Sequence, residues 1–234
     1  MRLGWLLGAC LFLGVPSAVY AAGPHSAAND RSRGEQVKSG TGFFVSPDNL
    51  MVTSTHIVTN CARIVVFPVD GIEREATIVA SDRELDVTIL WVNGAAIGNY
   101  LDDAEAHVRV GDRLFTIGYG IQPAEPYRPF YLTGTLQGES VLAGGNRVLV
   151  VQAYVPAGSS GAAIVDPQAR LVGVLIGHYT AEPDRGVVVP VRSIRAFASR
   201  QGVHLPIRPA SNTTNRNRDE VLLNVSALIQ CPAR

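Results

Sequence analysis

The chain has 234 residues, 47% hydrophobic and 17% charged, so it can bury a sizeable core, and general disorder is excluded. Its 20 basic and 20 acidic side chains cancel to a net charge of zero. There is no basic stripe of the kind a nucleic-acid binder carries, and nucleic acid is not an expected partner.

At the N-terminus, Arg2 precedes an almost wholly apolar run, Leu3 to Val15, broken at Pro16 and followed by Val19-Tyr20-Ala21. This pattern predicts a signal peptide over residues 1–21, cleaved after Ala21, and a secreted or periplasmic protein. The run is too short to span a bilayer comfortably, so no stable membrane insertion is expected after cleavage. Leu7-Gly8-Ala9-Cys10 also spells a lipoprotein box, which leaves a lipid-anchored envelope protein as an alternative, although hardly any apolar segment precedes it. Residues 22–37 are small, polar and charged and read as a disordered leader.

From Lys38 the pattern changes to short apolar runs punctuated by turn residues. Strands are expected at Gly40–Val45, Leu50–Ser54, Arg63–Pro68, Arg74–Ala80, Val87–Val92, Arg113–Gly118, Pro129–Gly138, Arg147–Tyr154, Ala162–Val165, Leu171–Ile176 and Gly186–Val191. Pro47-Asp48-Asn49, Asp70-Gly71, Gly144-Gly145-Asn146 and Asp166-Pro167 supply turns between them. Two helical stretches stand out: a single turn around Thr55–Thr59, and Arg192–Gln201, where Ile194, Phe197 and Ala198 recur at helical spacing before Gly202. Residues 38–202 form the expected folded domain, and residues 203–234 a polar linker and a tail holding the apolar run Val221–Ile229. The strand pattern describes an all-β protein, a sandwich or a pair of barrels.

Three segments carry chemistry. In Ala157-Gly158-Ser159-Ser160-Gly161-Ala162, small residues let the backbone turn sharply around Ser160 and aim amide N–H groups, those of Gly158 and Ser160, at one point. In Ser54-Thr55-His56-Ile57-Val58, a histidine stands on a turn at a strand end, and histidine is the natural general base near neutral pH. In Leu85-Asp86-Val87-Thr88-Ile89-Leu90, a carboxylate leads straight into an apolar strand, where it needs a hydrogen-bonding partner such as an imidazole. Each also has a plain structural reading: a flexible Gly-Ser turn, a structural histidine, a solvated acid. His25, His107, His178 and His204 compete with His56, and Asp82 competes with Asp86, although Asp82 sits among Ser81, Arg83 and Glu84 as in a solvated loop. Taken together, His56, Asp86 and Ser160 follow the chain order of the chymotrypsin triad rather than the subtilisin or α/β-hydrolase orders.

These segments resemble those of trypsin-like serine peptidases, in particular the bacterial HtrA-type and short secreted forms. Gly40-Thr41-Gly42-Phe43-Phe44-Val45 resembles the family's opening strand, and Thr53-Ser54-Thr55-His56-Ile57-Val58 its histidine motif. Leu85 to Leu90 resembles its aspartate strand, and Gly158-Ser159-Ser160-Gly161-Ala162 its serine motif, with Ser159 in place of Asn or Asp and Ala162 in place of Gly. Leu171-Val172-Gly173-Val174 and Val187-Val188-Val189-Pro190 resemble the two strands that follow. The resemblance implies two six-stranded antiparallel β-barrels with a short C-terminal helix. It implies a secreted serine endopeptidase working through an acyl-enzyme on polypeptide substrates, with His56, Asp86 and Ser160 as triad and Gly158 and Ser160 as oxyanion donors. A catalytically inactive binding module of the same fold is the alternative. By the same resemblance Tyr154 lies at the base of the primary substrate pocket and Ile176, Gly177 and His178 along one wall, with no acid among them. Ser159 cannot make the ion pair that activates digestive relatives, and the stretch beyond Gly202 is too short for a PDZ domain. No metal-ligand cluster or cofactor motif is visible. Once Cys10 has left with the signal peptide, Cys61 and Cys231 remain as an even pair in an oxidising compartment, and a disulfide between them is expected to pin the tail across the first barrel.

Overall fold

A computed structural model describes residues 37–94, 101–103, 108–120, 128–205 and 217–232. The expected signal peptide with Cys10, most of the leader, and His25 and His107 lie outside the described residues.

The first barrel is built from β1 (Val37–Phe44), β2 (Leu50–Ser54), β3 (Ile64–Phe67), β4 (Arg74–Asp82), β5 (Val87–Val92) and β13 (Ser226–Pro232). They close in the order β1-β13-β3-β4-β5-β2, with every pairing antiparallel. The second barrel uses β7 (Arg113–Tyr119), β8 (Pro129–Val141), β9 (Arg147–Gln152), β10 (Ala163–Val165), β11 (Arg170–Tyr179) and β12 (Glu182–Pro190). It runs β10-β7-β8-β9-β12-β11 and closes through β10–β11, with the two-residue β6 (Asp102–Asp103) laid parallel beside β11. Among the described residues there are three helices: α1 (Thr55–Val58), α2 (Val191–Arg200) and α3 (Arg218–Val225). Two closed six-stranded barrels are the architecture that the family resemblance implies.

The strands form where β-branched and aromatic residues concentrate, as in Val148-Leu149-Val150-Val151, all four buried. Barrel 1 packs Phe44, Met51, Leu90 and Ile229 in its interior. Barrel 2 packs Leu114, Leu149, Val172 and Leu175. A third cluster holding Phe43, Val52, Ile117, Val174 and Phe197 draws residues from both barrels.

The tail departs from expectation. Instead of lying across a finished barrel, the stretch read as linker and tail supplies a barrel strand. The apolar run Val221–Ile229 divides into α3, capped by the Asn217 side chain accepting the Asp219 N–H, and β13, which pairs with β1 on one side and β3 on the other. A continuous apolar run has no periodicity to separate helix from strand, which is why the change at Ser226 is hidden in the sequence. Cys231 on β13 is bonded to Cys61, as expected, across a separation of 170 residues.

Candidate active site

His56 sits in α1, a four-residue helix entered directly from β2. A helix this short leaves its carbonyls without internal partners. Here Thr59 Oγ1 donates to the Thr55 carbonyl at 2.7 Å, and the Lys38 ammonium donates to the carbonyls of His56 and Thr59. The Ala62 N–H bonds the Pro232 carbonyl and Cys61 carries the disulfide, so β13 holds the exit of the turn.

Asp86 precedes β5 with φ +55°, a left-handed conformation that Asp tolerates better than most residues. Its Oδ1 accepts the His56 backbone N–H at 2.9 Å and its Oδ2 lies 2.7 Å from His56 Nδ1. The Thr55 N–H donates to the Asp86 carbonyl, and beneath this joint the hydroxyls of Thr55, Ser81 and Thr88 bond one another. The rival acid turns elsewhere: Asp82 Oδ1 accepts the N–H groups of Glu84 and Leu85 and shapes the turn that leads to Asp86. Neither rival histidine among the described residues has a carboxylate partner; the His178 ring approaches the Tyr179 carbonyl, and both His178 and His204 are exposed.

The Ser160 loop joins β9 to β10. Gly158 has φ +92° and Gly161 φ +88°, and a Cβ on Gly161 would lie 2.0 Å from the Thr41 carbonyl, so glycine is required there by both conformation and space. The N–H groups of Ser159, Gly161 and Ala162 donate to the carbonyls of Pro156, Leu175 and Ser159. Those of Gly158 and Ser160 have no acceptor among the described residues. Ser160 itself is half-buried. Its hydroxyl makes no hydrogen bond to the His56 ring or to any other described residue. The serine loop is tied to barrel 1 through the backbone: the Thr41 N–H donates to the Ser160 carbonyl at 2.8 Å, and the Leu175 carbonyl accepts both the Gly161 N–H and the hydroxyl of Ser54, two residues before His56.

Of the expected pocket residues, Tyr154 is 72% exposed rather than enclosed at a floor, Ile176 and Gly177 are half-buried, and His178 is exposed. Tyr154 borders a cavity lined by Leu114, Val151, Val155, Ile164 and Leu175, which opens into the core of barrel 2; Ile176, Gly177 and His178 do not line it. The sequence reading overlooked Thr41 and Thr53, two fully buried hydroxyls at the joint between the barrels. The available signal was a hydroxyl residue between two glycines just ahead of the apolar run Phe43-Phe44-Val45.

Comparison with known proteins gives the family. Residues 40–174 match the family model described as a trypsin-like peptidase domain. A probable periplasmic serine endoprotease, DegP-like, from Bartonella henselae is 30% identical over 70% of this chain and 32% of its own length. A protein of the same description from Rhizobium meliloti is 30% identical over 68% of this chain and 30% of its own length. The chain thus spans less than a third of each of these curated relatives. Among solved structures, the active form of the Rv3671c protease from M. tuberculosis superposes with a TM-score of 0.63, at 23% identity, over 72% of this chain and 76% of its own, a likeness of fold. On the family match, which covers more than half of its length, the chain belongs to the trypsin-like peptidases.

Proposed function

We propose that the protein is an exported serine endopeptidase. His56 removes the Ser160 proton as Oγ attacks the substrate carbonyl, and Asp86 fixes the ring tautomer through Nδ1 and stabilises the imidazolium that forms. The oxyanion is received by the Gly158 and Ser160 N–H groups, and His56 returns the proton to the departing amine. Water, deprotonated by the same ring, then attacks the acyl carbonyl, and the ring returns that proton to Ser160 Oγ as the acid product leaves. The Ser160–His56 hydrogen bond forms when substrate arrives; such bonds are commonly loose in ligand-free sites. The observation that carries the reading is the pairing of one carboxylate with His56 beside a serine loop that leaves two N–H donors unpaired. No acid stands among Tyr154, Ile176, Gly177 and His178, which favours a small or medium apolar side chain on the substrate before the scissile bond over Lys or Arg.

The periplasmic DegP-like names of the relatives, the signal pattern and a disulfide suited to an oxidising compartment together favour a periplasmic or secreted location. The mature chain is expected to begin at Ala22. A fluorophosphonate probe should label the wild-type protein at Ser160 and leave Ser160→Ala unlabelled and inactive on a peptide library. A folded wild-type protein that neither labels nor cleaves would mark the chain as a binding module of peptidase fold.

A further inference from the structure

Thr41 stands on β1 in barrel 1, yet three of its four hydrogen bonds cross to barrel 2. Its N–H donates to the Ser160 carbonyl at 2.8 Å, and its hydroxyl donates to the Gly158 carbonyl at 2.8 Å. The same hydroxyl accepts the Tyr119 N–H at 2.9 Å, and the Thr41 carbonyl accepts from Thr53 Oγ1 at 2.7 Å. Every polar atom of the residue is engaged, and the residue is fully buried.

We infer that Thr41 is a positioning residue for the oxyanion site, one that acts on turnover rather than on substrate binding. The Gly158 carbonyl belongs to the Gly158–Ser159 peptide, and the Ser160 carbonyl to the Ser160–Gly161 peptide. Thr41 therefore fixes the two peptides flanking the Ser159–Ser160 unit, whose N–H is one of the two unpaired donors. A peptide held at both neighbours can rotate little, so its N–H stays aimed without a bond of its own. Oxyanion donors contribute only when their direction is set before charge develops. Tyr119 adds support from behind: a Cβ on Gly158 would lie 2.2 Å from the Tyr119 carbonyl, so Gly158 rests directly on the residue whose N–H Thr41 also holds. The hydroxyl is specified by chemistry, not volume alone. It donates once and accepts once, which the isosteric Val cannot do.

The inference rests on the peptidase reading, and its test separates the two. Thr41→Val, Thr41→Cys and Thr41→Ser are compared with wild type for kcat and KM on a cleaved peptide, for affinity toward a peptide boronic acid, whose tetrahedral adduct places an oxygen among the oxyanion donors, and for affinity toward an uncleaved product peptide. Thr41→Val should lower kcat and boronate affinity together, by about 10²-fold, while KM and product affinity stay within about twofold of wild type. Thr41→Ser keeps the hydroxyl and should retain wild-type kcat, with Thr41→Cys, a weaker donor, in between. Equal boronate affinity and kcat in wild type and folded Thr41→Val would overturn the inference, as would a parallel loss of product binding. Should Thr41→Val fail to fold, Thr41→Cys carries the test alone, and a folded Thr41→Cys that matches Thr41→Ser in kcat overturns it. Wild type that neither cleaves peptide nor binds the boronate overturns the peptidase reading itself, a result distinct from every outcome among the variants.

Discussion

A single carboxylate holds His56 at two points, Asp86 Oδ1 on the backbone N–H at 2.9 Å and Asp86 Oδ2 against the ring Nδ1 at 2.7 Å. An amide cannot serve both: if the Asn oxygen takes the backbone N–H, its NH2 group faces Nδ1 and forces the ring proton onto Nε2, the atom that must accept from Ser160. Asp86→Asn should therefore fold normally and lose about 10³-fold or more in kcat, with little change in KM. Steady-state kinetics with far-UV circular dichroism checks this, and near wild-type turnover would remove Asp86 from the mechanism.

Asp82, four residues earlier, should behave differently. Its Oδ1 accepts two backbone N–H groups in the turn before Asp86, a task that an Asn side-chain oxygen also performs. Asp82→Asn should leave kcat within about twofold, whereas Asp82→Ala should cost about 1 kcal/mol of stability through the two N–H groups it orphans. Thermal melts and kinetics on the pair separate a turn-forming acid from a ring-orienting one; loss of activity in Asp82→Asn would exchange the roles.

The strands of both barrels were legible because each is a short apolar run closed by a turn residue. The eleven expected strands correspond to β1–β5 and β7–β12, most with ends displaced by a few residues. The twelfth barrel strand was not legible. Leu222, Val225, Leu228 and Ile229 form one buried apolar series across a helix and a strand, and only the cap at Asn217 marks a boundary. The segments holding His56, Asp86 and Ser160 stood out through residue type and context. Thr41 did not, because its importance lies in the identity of three partners remote in sequence, at Gly158, Ser160 and Tyr119. Hydrogen bonds across a domain joint leave no local pattern in a chain. The 72% exposure of Tyr154 was likewise hidden, because exposure is set by tertiary packing and not by distance along the chain from Ser160.

Tyr119 gives the fold an alkaline limit. Burial, with a smaller contribution from Tyr131, pushes its phenol up to about 12 from an ordinary value of 10.0. The folded state thus holds the proton more tightly than the unfolded chain. The associated stability is fully present below pH 10 and is lost as pH rises toward 12, an expected fall of roughly 2–3 kcal/mol over that window. Urea titrations at pH 8, 10 and 11.5 should show the decline, and Tyr119→Phe should flatten it. An unchanged slope in Tyr119→Phe would assign the alkaline loss to another group.

β13 fills the gap between β1 and β3, burying Ala227, Leu228, Ile229 and Cys231, and its end meets the histidine turn through Cys61 and the Ala62 N–H. Two contributions can be separated by experiment. The disulfide closes a loop of 170 residues, for which chain entropy sets an upper stabilisation of about 5 kcal/mol, with 2–4 kcal/mol the usual yield. The strand itself removes two exposed sheet edges and buries Leu228 and Ile229, each contributing about 1.5–3 kcal/mol. Cys231→Ser should therefore stay folded, melt at lower temperature and retain most of its turnover, because β13 still pairs and Asp86 still orients His56. A chain ending at Asn217 should lose barrel 1 altogether and accumulate as aggregate, since β1 and β3 would present open edges. Non-reducing peptide mapping should find a single Cys61–Cys231 link in the wild type. A soluble, active protein truncated at Asn217 would show that the barrel closes without its last strand, and the structural role assigned to β13 would have to be abandoned.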